Sequence, residues 1–329
     1  MEPGCPQPAA LACGHAGSVL PRARTRVATA PVHKPKSDEE LLSPDFMTKL
    51  EQLEILSRKI FLGRMKGERR SKRKGESVEF ADYRNYVVGD DLRFLDWNIY
   101  ARLERLVLKL FMEEEDLNVT VLFDVSKSMD WGSPHKGLYI KRVAAALAYI
   151  GLCNYDRVSL YGYNSGLVHE MRAIRGRRLV SQVVQFLRRI PFEGHSDLTA
   201  VGKRFALRHT GKGVVIVLSD FLDKGGYADG IRYLLSRDLD LYAIQVLSPE
   251  EVDPQLAGDL RLKDVEDDDT AEVTISKPLL DKYKANLKSY CTDLKNHCTR
   301  RGICYLFTTT RVEFDTLVLA YLRQRGLLR

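Results

Sequence analysis

Asp124, Ser126 and Ser128 stand at alternate positions directly after the apolar run Val119 to Phe123. Three oxygen-bearing side chains in an Asp-x-Ser-x-Ser turn suit a hard cation such as magnesium. The run itself is short, nearly continuous and rich in Val, Leu and Phe, as a parallel strand buried on both faces requires. Asp124 falls at its carboxyl end, where open α/β sheets bind ligands. Asp220 ends a second such run, Val214 to Leu218, and Thr199 opens a helix after the loop Gly194-His195-Ser196-Asp197. If the two strands are neighbours, all five residues reach one sheet edge. Magnesium or manganese favours six oxygens, and Asp124 and Asp220 would anchor the charge while Ser126, Ser128 and Thr199 supply hydroxyls, directly or through water. With few carboxylates bound directly, the ion keeps positive charge and an open position for a partner's Asp or Glu.

The same residues weigh against other chemistries, of which phosphotransfer at Asp124 is the alternative that stays open. A phosphatase or phosphotransfer enzyme with Asp124 as nucleophile wants a second acid two residues on to protonate the leaving oxygen, and Ser126 stands there. A receiver-type phosphoacceptor would need an acidic pair, and only Asp130 is close. Ser126 or Ser196 with His195 and Asp197 lacks the Gly-x-Ser-x-Gly elbow of a hydrolase, and adjacent residues do not point at one another as a triad requires. No Gly-x4-Gly-Lys-Ser/Thr is present, so the chain is not itself a P-loop ATPase.

The elements that must position these residues follow from periodicity. Strands and helices alternate from Leu117 onward, the mark of an α/β, doubly wound, mainly parallel sheet. Helices are expected over Lys136 to Cys153, Gly176 to Ile190, Leu198 to Arg208, Tyr227 to Arg237, Leu279 to Cys298 and Phe314 to Arg323. Strands are expected over Arg157 to Tyr163, Val214 to Leu218, Leu241 to Val246 and Ile303 to Phe307, with a hairpin between Arg261 and Ile275. Its Asp267, Asp268 and Asp269 lack an EF-hand pattern and read as a solvated turn. Upstream, Ser43-Pro44 reads as a cap and first turn, followed by Phe46, Leu50, Leu53, Ser57 and Ile60 on one helical face. Extended segments around Gly75 to Tyr86 and Leu106 to Phe111, with Gly89-Asp90-Asp91 between them, make a small β-rich N-terminal subdomain. Asp90, Asp91 and Asp96 with Arg84, Arg93 and Arg102 read as a structural ion-pair network, and Trp97 is expected to bury its ring where that subdomain meets the sheet. The chain divides into an extension expected to be disordered over 1–43, a helix, basic loop and β-rich piece over 44–116, and the main α/β domain over 117–329.

The chain has 329 residues, 44% of them hydrophobic, enough for a large core. The longest apolar run, Val143 to Cys153, is well short of the roughly 20 residues that span a bilayer, and no secretory signal is evident. Six cysteines form no Cys-x-x-Cys pair, which fits reduced thiols in the cytoplasm and no zinc site. Arg22, Arg24 and Arg26 share the composition of an organelle transit peptide without its amphipathic helix. The net charge of +7 is concentrated between Arg58 and Lys74, where nine Lys or Arg face the single acid Glu68. An anionic surface or nucleic acid could meet the loop Arg64 to Lys74 through Lys72, Arg73 and Lys74, although no aromatic is interleaved there for base stacking. The plainer reading is a solvated loop that offsets the acidic runs Glu113 to Asp116 and Asp264 to Asp269.

Taken together, Asp124, Ser126, Ser128, Thr199 and Asp220 resemble the metal-ion-dependent adhesion site of von Willebrand factor A domains. The block Gly75 to Phe80, Arg84-Asn85-Tyr86, Gly89-Asp90-Asp91, Arg93, Asp96-Trp97 and Ala101-Arg102 resembles the signature of the domain-of-unknown-function-58 family. That resemblance covers about Gly63 to Asp220 and implies a bacterial protein with a von Willebrand factor A-like (Rossmann-like) domain that works with a MoxR-type AAA+ ATPase. It implies a non-enzymatic, metal-dependent binding role. Some members carry amino-terminal membrane helices, which this chain lacks, and that points to the cytoplasm.

Overall fold

The computed structural model describes residues 41–55, 80–111, 117–209, 212–236, 239–256, 258–263, 270–324 and 326–329. The extension up to residue 40, Ser57, Ile60, the basic loop Arg64 to Lys74, the signature residues Gly75 to Glu79, the acidic run Glu113 to Asp116 and Asp267 to Asp269 lie outside the described residues.

A two-stranded antiparallel ribbon pairs β1 (Phe80–Asn85) with β2 (Val107–Phe111). The main sheet contains β3 (Asn118–Asp124), β4 (Arg157–Tyr163), β5 (Leu167–Ile174), β6 (Gly213–Ser219), β7 (Leu239–Leu247) and, after a hairpin of β8 (Gly258–Lys263) and β9 (Thr270–Ile275), β10 (Cys304–Thr309). Its spatial order is β10-β7-β6-β3-β4-β5, with every pair parallel except β4 with β5. Counted from β3, that is the doubly wound order 3-2-1-4-5-6 read from the other edge. The sheet is therefore α/β and mainly parallel, as expected.

Alternation along the strands divides the core in two. Val119, Val121 and Phe123 of β3, Val214, Ile216 and Leu218 of β6, and Tyr242, Ile244 and Val246 of β7 share one face with the Lys136–Cys153 helix. Leu122, Val215, Val217, Leu241 and Ala243 point the other way, beneath the Leu198–Arg208, Ala228–Leu235 and Lys277–Arg300 helices. Burial on both faces is why these strands carry apolar residues at successive positions instead of every second one. The Lys136–Cys153 helix is buried almost all round, from Val143 to Leu152, because Phe46, Leu50, Ile55, Leu327 and Leu328 close over it in the same cluster.

Four expectations change. The helix capped by Ser43 spans only Pro44–Leu50, and Leu53 is buried in an extended segment whose Ile55 bridges Leu328. The apolar stripe continued because the segment stays on the core, not because the helix does. Leu167–Ile174 forms an antiparallel edge strand where no element was expected. The Gly176 to Ile190 segment opens with a 3-10 turn, Arg177–Leu179, and becomes α-helical only over Val180–Arg189. Trp97 is 60% exposed instead of buried at a junction.

Of the expected ion pairs, Arg84–Asp90 and Arg93–Asp91 form, at 2.8 and 2.6 Å. Asp96 instead caps the Trp97–Leu103 helix through the Asn98 and Ile99 N–H groups and pairs with Lys109 at 3.1 Å.

Candidate functional site

The strand order reverses between β3 and β6, so a crevice opens at their carboxyl ends. Asp124 is the last residue of β3 and Asp220 the first after β6. Both are buried, as are Ser126 and Ser128. The Asp-x-Ser-x-Ser turn closes locally: the Ser126 N–H donates to Asp124 Oδ1 at 2.9 Å, and the Ser126 and Ser128 hydroxyls lie 3.0 Å apart. A 3-10 turn over Lys127–Met129 gives the two serines their common side.

The loop before Thr199 is stitched over this turn by backbone bonds. Lys127 N–H donates to Gly194 O and Glu193 N–H to Val125 O, each at 2.9 Å, and Asp197 N–H reaches Asn164 O at 3.0 Å. Asp197 then caps the Leu198–Arg208 helix through the Ala200 N–H, while the Leu198 N–H donates to Asp223 Oδ2 at 2.9 Å. The start of that helix is thus tied to the ends of β3, β4 and β6. Thr199, its second residue, is half-buried at this junction and makes no side-chain hydrogen bond with the other four candidates. The structure brings Asp124, Ser126 and Ser128 into one bonded cluster, sets Asp220 close enough for its charge to act on Asp124, and leaves Thr199 half-buried and outside those bonds.

Four further partners surround these residues, and of them the sequence singled out only Ser196, weighed as a hydrolase serine and not as a partner of Asp124. Ser219 and Ser196 both donate to Asp124 Oδ2, at 2.8 and 3.1 Å. Lys136, fully buried, donates to Asp220 Oδ2 at 2.9 Å and to Glu251 Oε1 at 2.7 Å. A signal for Ser196 and Ser219 was present, since each directly adjoins a candidate segment. For Lys136 the only signal was a charge at the head of a mostly apolar helix that also carries Lys141 and Arg142. Behind Asp220, the chain turns sharply: Phe221 sits at φ 55°, a left-handed conformation rare for a bulky residue. Its N–H donates to Ser219 Oγ and its carbonyl accepts the Tyr290 hydroxyl. Gln245 Nε2 holds the Asp220 carbonyl at 2.8 Å, and the Tyr305 hydroxyl in turn donates to Gln245 Oε1.

Burial, followed by the charge of Asp220, pushes the Asp124 carboxyl above the usual range, against the bonds from Ser126 and Ser219 that favour its ionised form. Burial also opposes the Lys136 charge, but Asp220 and Glu251 outweigh it and hold the ammonium above the usual lysine range. Burial and the nearby Asp124 likewise raise the Tyr163 phenol at the end of β4.

Among the described residues no group of three or more His, Cys, Asp or Glu is arranged to hold a metal. The donors here are of a different kind: carboxylates of Asp124 and Asp220 with hydroxyls of Ser126, Ser128 and Thr199. An all-oxygen set fits a hard divalent ion, and a buried carboxylate strained by its neighbour's charge is a place where such an ion would be favoured. These residues fit the group, with Lys136 as a resident charge that any ion must share Asp220 with.

The fold and the strand-end turn define a doubly wound, mainly parallel α/β domain with oxygen-bearing side chains at its switch point. Residues 82–293, more than half of the chain, match the family described as Protein of unknown function DUF58. The chain belongs to that family. It is 24% identical over 296 residues to an uncharacterized protein of Mycobacterium tuberculosis and to one of Mycobacterium bovis, covering 88% of this chain and 92% of each relative. Among solved structures it is similar to the conserved hypothetical protein BatB from Bacteroides thetaiotaomicron, at 11% identity and TM-score 0.38, over 64% of this chain and 98% of that one. An aerotolerance-related membrane protein from Bacteroides fragilis matches at 12% identity and TM-score 0.38, with the same coverage. The manganese-loaded TRAP protein of Plasmodium vivax matches at 18% identity and TM-score 0.29, over 40% of this chain and 57% of that one. Likeness at this level carries nothing about the site. Among the described residues no helix is long and apolar enough to cross a membrane.

Proposed function

We propose that the protein is a non-enzymatic binding module in which Mg2+ or Mn2+, held by Asp124, Ser126, Ser128, Thr199 and Asp220, captures an exposed Asp or Glu of a partner protein. The observation that carries this reading is the Asp124–Asp220 pair, two buried carboxylates at the topological switch point, with Asp124 held above its usual range by burial and by Asp220. A bound ion would supply the missing positive charge and an open coordination position. This chain's residues orient the site: Ser219 and Ser196 fix the Asp124 carboxylate, and the backbone bonds from Gly194 and Val125 fix the loop that leads to Thr199. Resemblance to the family adds a MoxR-type AAA+ ATPase as the partner class, acting in complex assembly or maturation in the cytoplasm.

Isothermal titration of purified protein with Mg2+ and Mn2+, and of Asp124→Ala, tests the site. Binding by the parent that is lost in the variant is expected; equal magnesium-dependent melting of the two would overturn the reading. Co-purification with a MoxR-type ATPase from the same organism, with and without chelator, tests the partner. Metal-dependent turnover of an aryl phosphate that disappears in Asp124→Ala would replace binding with phosphotransfer.

A further inference from the structure

Lys136 is the least expected group at this strand edge. It is the first residue of its helix, fully buried, and its Nζ bridges Asp220 Oδ2 at 2.9 Å and Glu251 Oε1 at 2.7 Å. Both partners, and His135 just before Lys136, are held by further bonds. His135 caps the helix by accepting the Leu138 N–H on Nδ1, which leaves Nε2 to donate to Asp130 at 2.9 Å. Glu251 belongs to a capping box: its second oxygen accepts the Ser248 N–H at 2.7 Å while Ser248 Oγ accepts the Glu251 N–H. Asp220 Oδ1 accepts the Leu222 N–H at 3.0 Å.

Burying three charges is expensive unless each is paired, and an apolar residue at position 136 would have avoided the desolvation cost. The arrangement has a direct consequence for the carboxylate it touches. Both oxygens of Asp220 already accept hydrogen bonds, one from backbone and one from an ammonium. A divalent ion approaching from Asp124 competes with a cation that is covalently part of the chain. Glu251 offers that cation a second carboxylate, on the segment that follows β7, so the ammonium has somewhere to go when Asp220 turns to the ion.

Resting on the metal-binding reading above, we propose that Lys136 is a tethered cation that competes with the divalent ion for Asp220 and so sets the affinity of the site, with Glu251 as the counter-anion that draws Lys136 away. Lys136 acts as a positioning residue. The local charges are consistent with that role: Asp124, Asp220 and Glu251 against Lys136 leave two negative charges when all are ionised, which one divalent ion neutralises.

The test is calorimetric Mg2+ titration of the full chain, with melting followed in chelator and in Mg2+. Lys136→Met frees Asp220, so Mg2+ binds about tenfold more tightly or better, and the variant melts lower in chelator but gains more from Mg2+ than the parent. Glu251→Gln leaves Asp220 as the only carboxylate for the ammonium, so Mg2+ binds several-fold more weakly. A lysine that only supports the fold would weaken binding in both variants, and that result, or unchanged affinity in both, overturns the proposal. If Lys136→Met does not fold, Lys136→Gln, which removes the charge but keeps a hydrogen-bond donor between Asp220 and Glu251, takes its place: tighter Mg2+ binding is expected, and equal or weaker binding overturns the proposal. A parent protein that binds no Mg2+ overturns the binding reading and this proposal together, whereas a parent that binds with variants that fail these signs overturns this proposal alone.

Discussion

The Ser219 hydroxyl at the end of β6 donates to Asp124 Oδ2 at the end of β3 across 2.8 Å, and its oxygen also accepts the Phe221 N–H at 2.9 Å. One side chain therefore orients the central carboxylate and supports the left-handed turn after Asp220. Ser219→Ala removes both bonds in a buried place and is expected to cost about 1–3 kcal/mol in urea unfolding. Ser196→Ala removes one bond to the same oxygen and costs about 1 kcal/mol. Because both hydroxyls converge on one atom, the double variant departs from the sum of the singles by about 0.5 kcal/mol or more. Strictly additive losses would show that they do not act through Asp124.

Gly202 and Gly230 bring two helices into close contact on the face beneath Thr199. A Cβ on Gly202 would lie 2.5 Å from the Gly230 carbonyl oxygen, and one on Gly230 would lie 2.6 Å from both the Leu198 carbonyl oxygen and Leu198 Cγ. Backbone cannot yield as a flexible side chain can, so Gly202→Ala is expected to cost about 1–3 kcal/mol. Since the same helix carries Thr199, the variant should also bind Mg2+ more weakly. Retained affinity in a destabilised variant would separate the helix position from the site.

Adjacent residues in the family block answer differently to alanine. Asp96 caps a helix and pairs with Lys109, while Trp97 is largely exposed. Asp96→Ala should lower the melting temperature measurably. Trp97→Ala should leave stability within about 0.5 kcal/mol of the parent. A large loss at Trp97 would mean that its ring is covered in solution.

Lys141 is 6% exposed, donates to the Ile190 carbonyl at 2.6 Å and lies over the Phe192 ring at 4.3 Å. Burial draws its pKa down to about 8, with the charge of Asp130 opposing. The unfolded chain keeps this proton up to the ordinary lysine value, so below about 8 the folded state carries the full cost of a buried charge. Between there and about 10.5 the folded lysine is neutral while the unfolded one is not, and stability rises with pH. Lys141→Met should therefore lose ground to the parent as pH climbs from 7 to 10, on the order of 2 kcal/mol in chemical unfolding. Parallel pH curves for the two would contradict a depressed Lys141.

Much of the framework was legible from residue order. Lys136–Cys153, Arg157–Tyr163 and Leu198–Arg208 fall where periodicity puts them. Buried strands and helices announce themselves through neighbours one to four positions apart, so local pattern is enough. The same logic placed Asp124, Ser126 and Ser128 in one turn. It failed at Leu167–Ile174, an edge strand whose mixed exposure leaves no continuous apolar run, and at Trp97, where an aromatic ring was assigned a burial that only surrounding chain can provide.

What the sequence by itself determined is the set of strand ends that carry oxygen donors and the family block upstream of them. Only the tertiary structure decided that β6 lies beside β3, that Ser196 and Ser219 share the Asp124 carboxylate, and that Lys136 reaches Asp220 and Glu251, 84 and 115 residues away. A lysine at the head of a helix reads as solvated in any local window. Its charge becomes part of the site only where the path of the chain removes water from it and supplies two carboxylates, and that depends on every strand crossing between them.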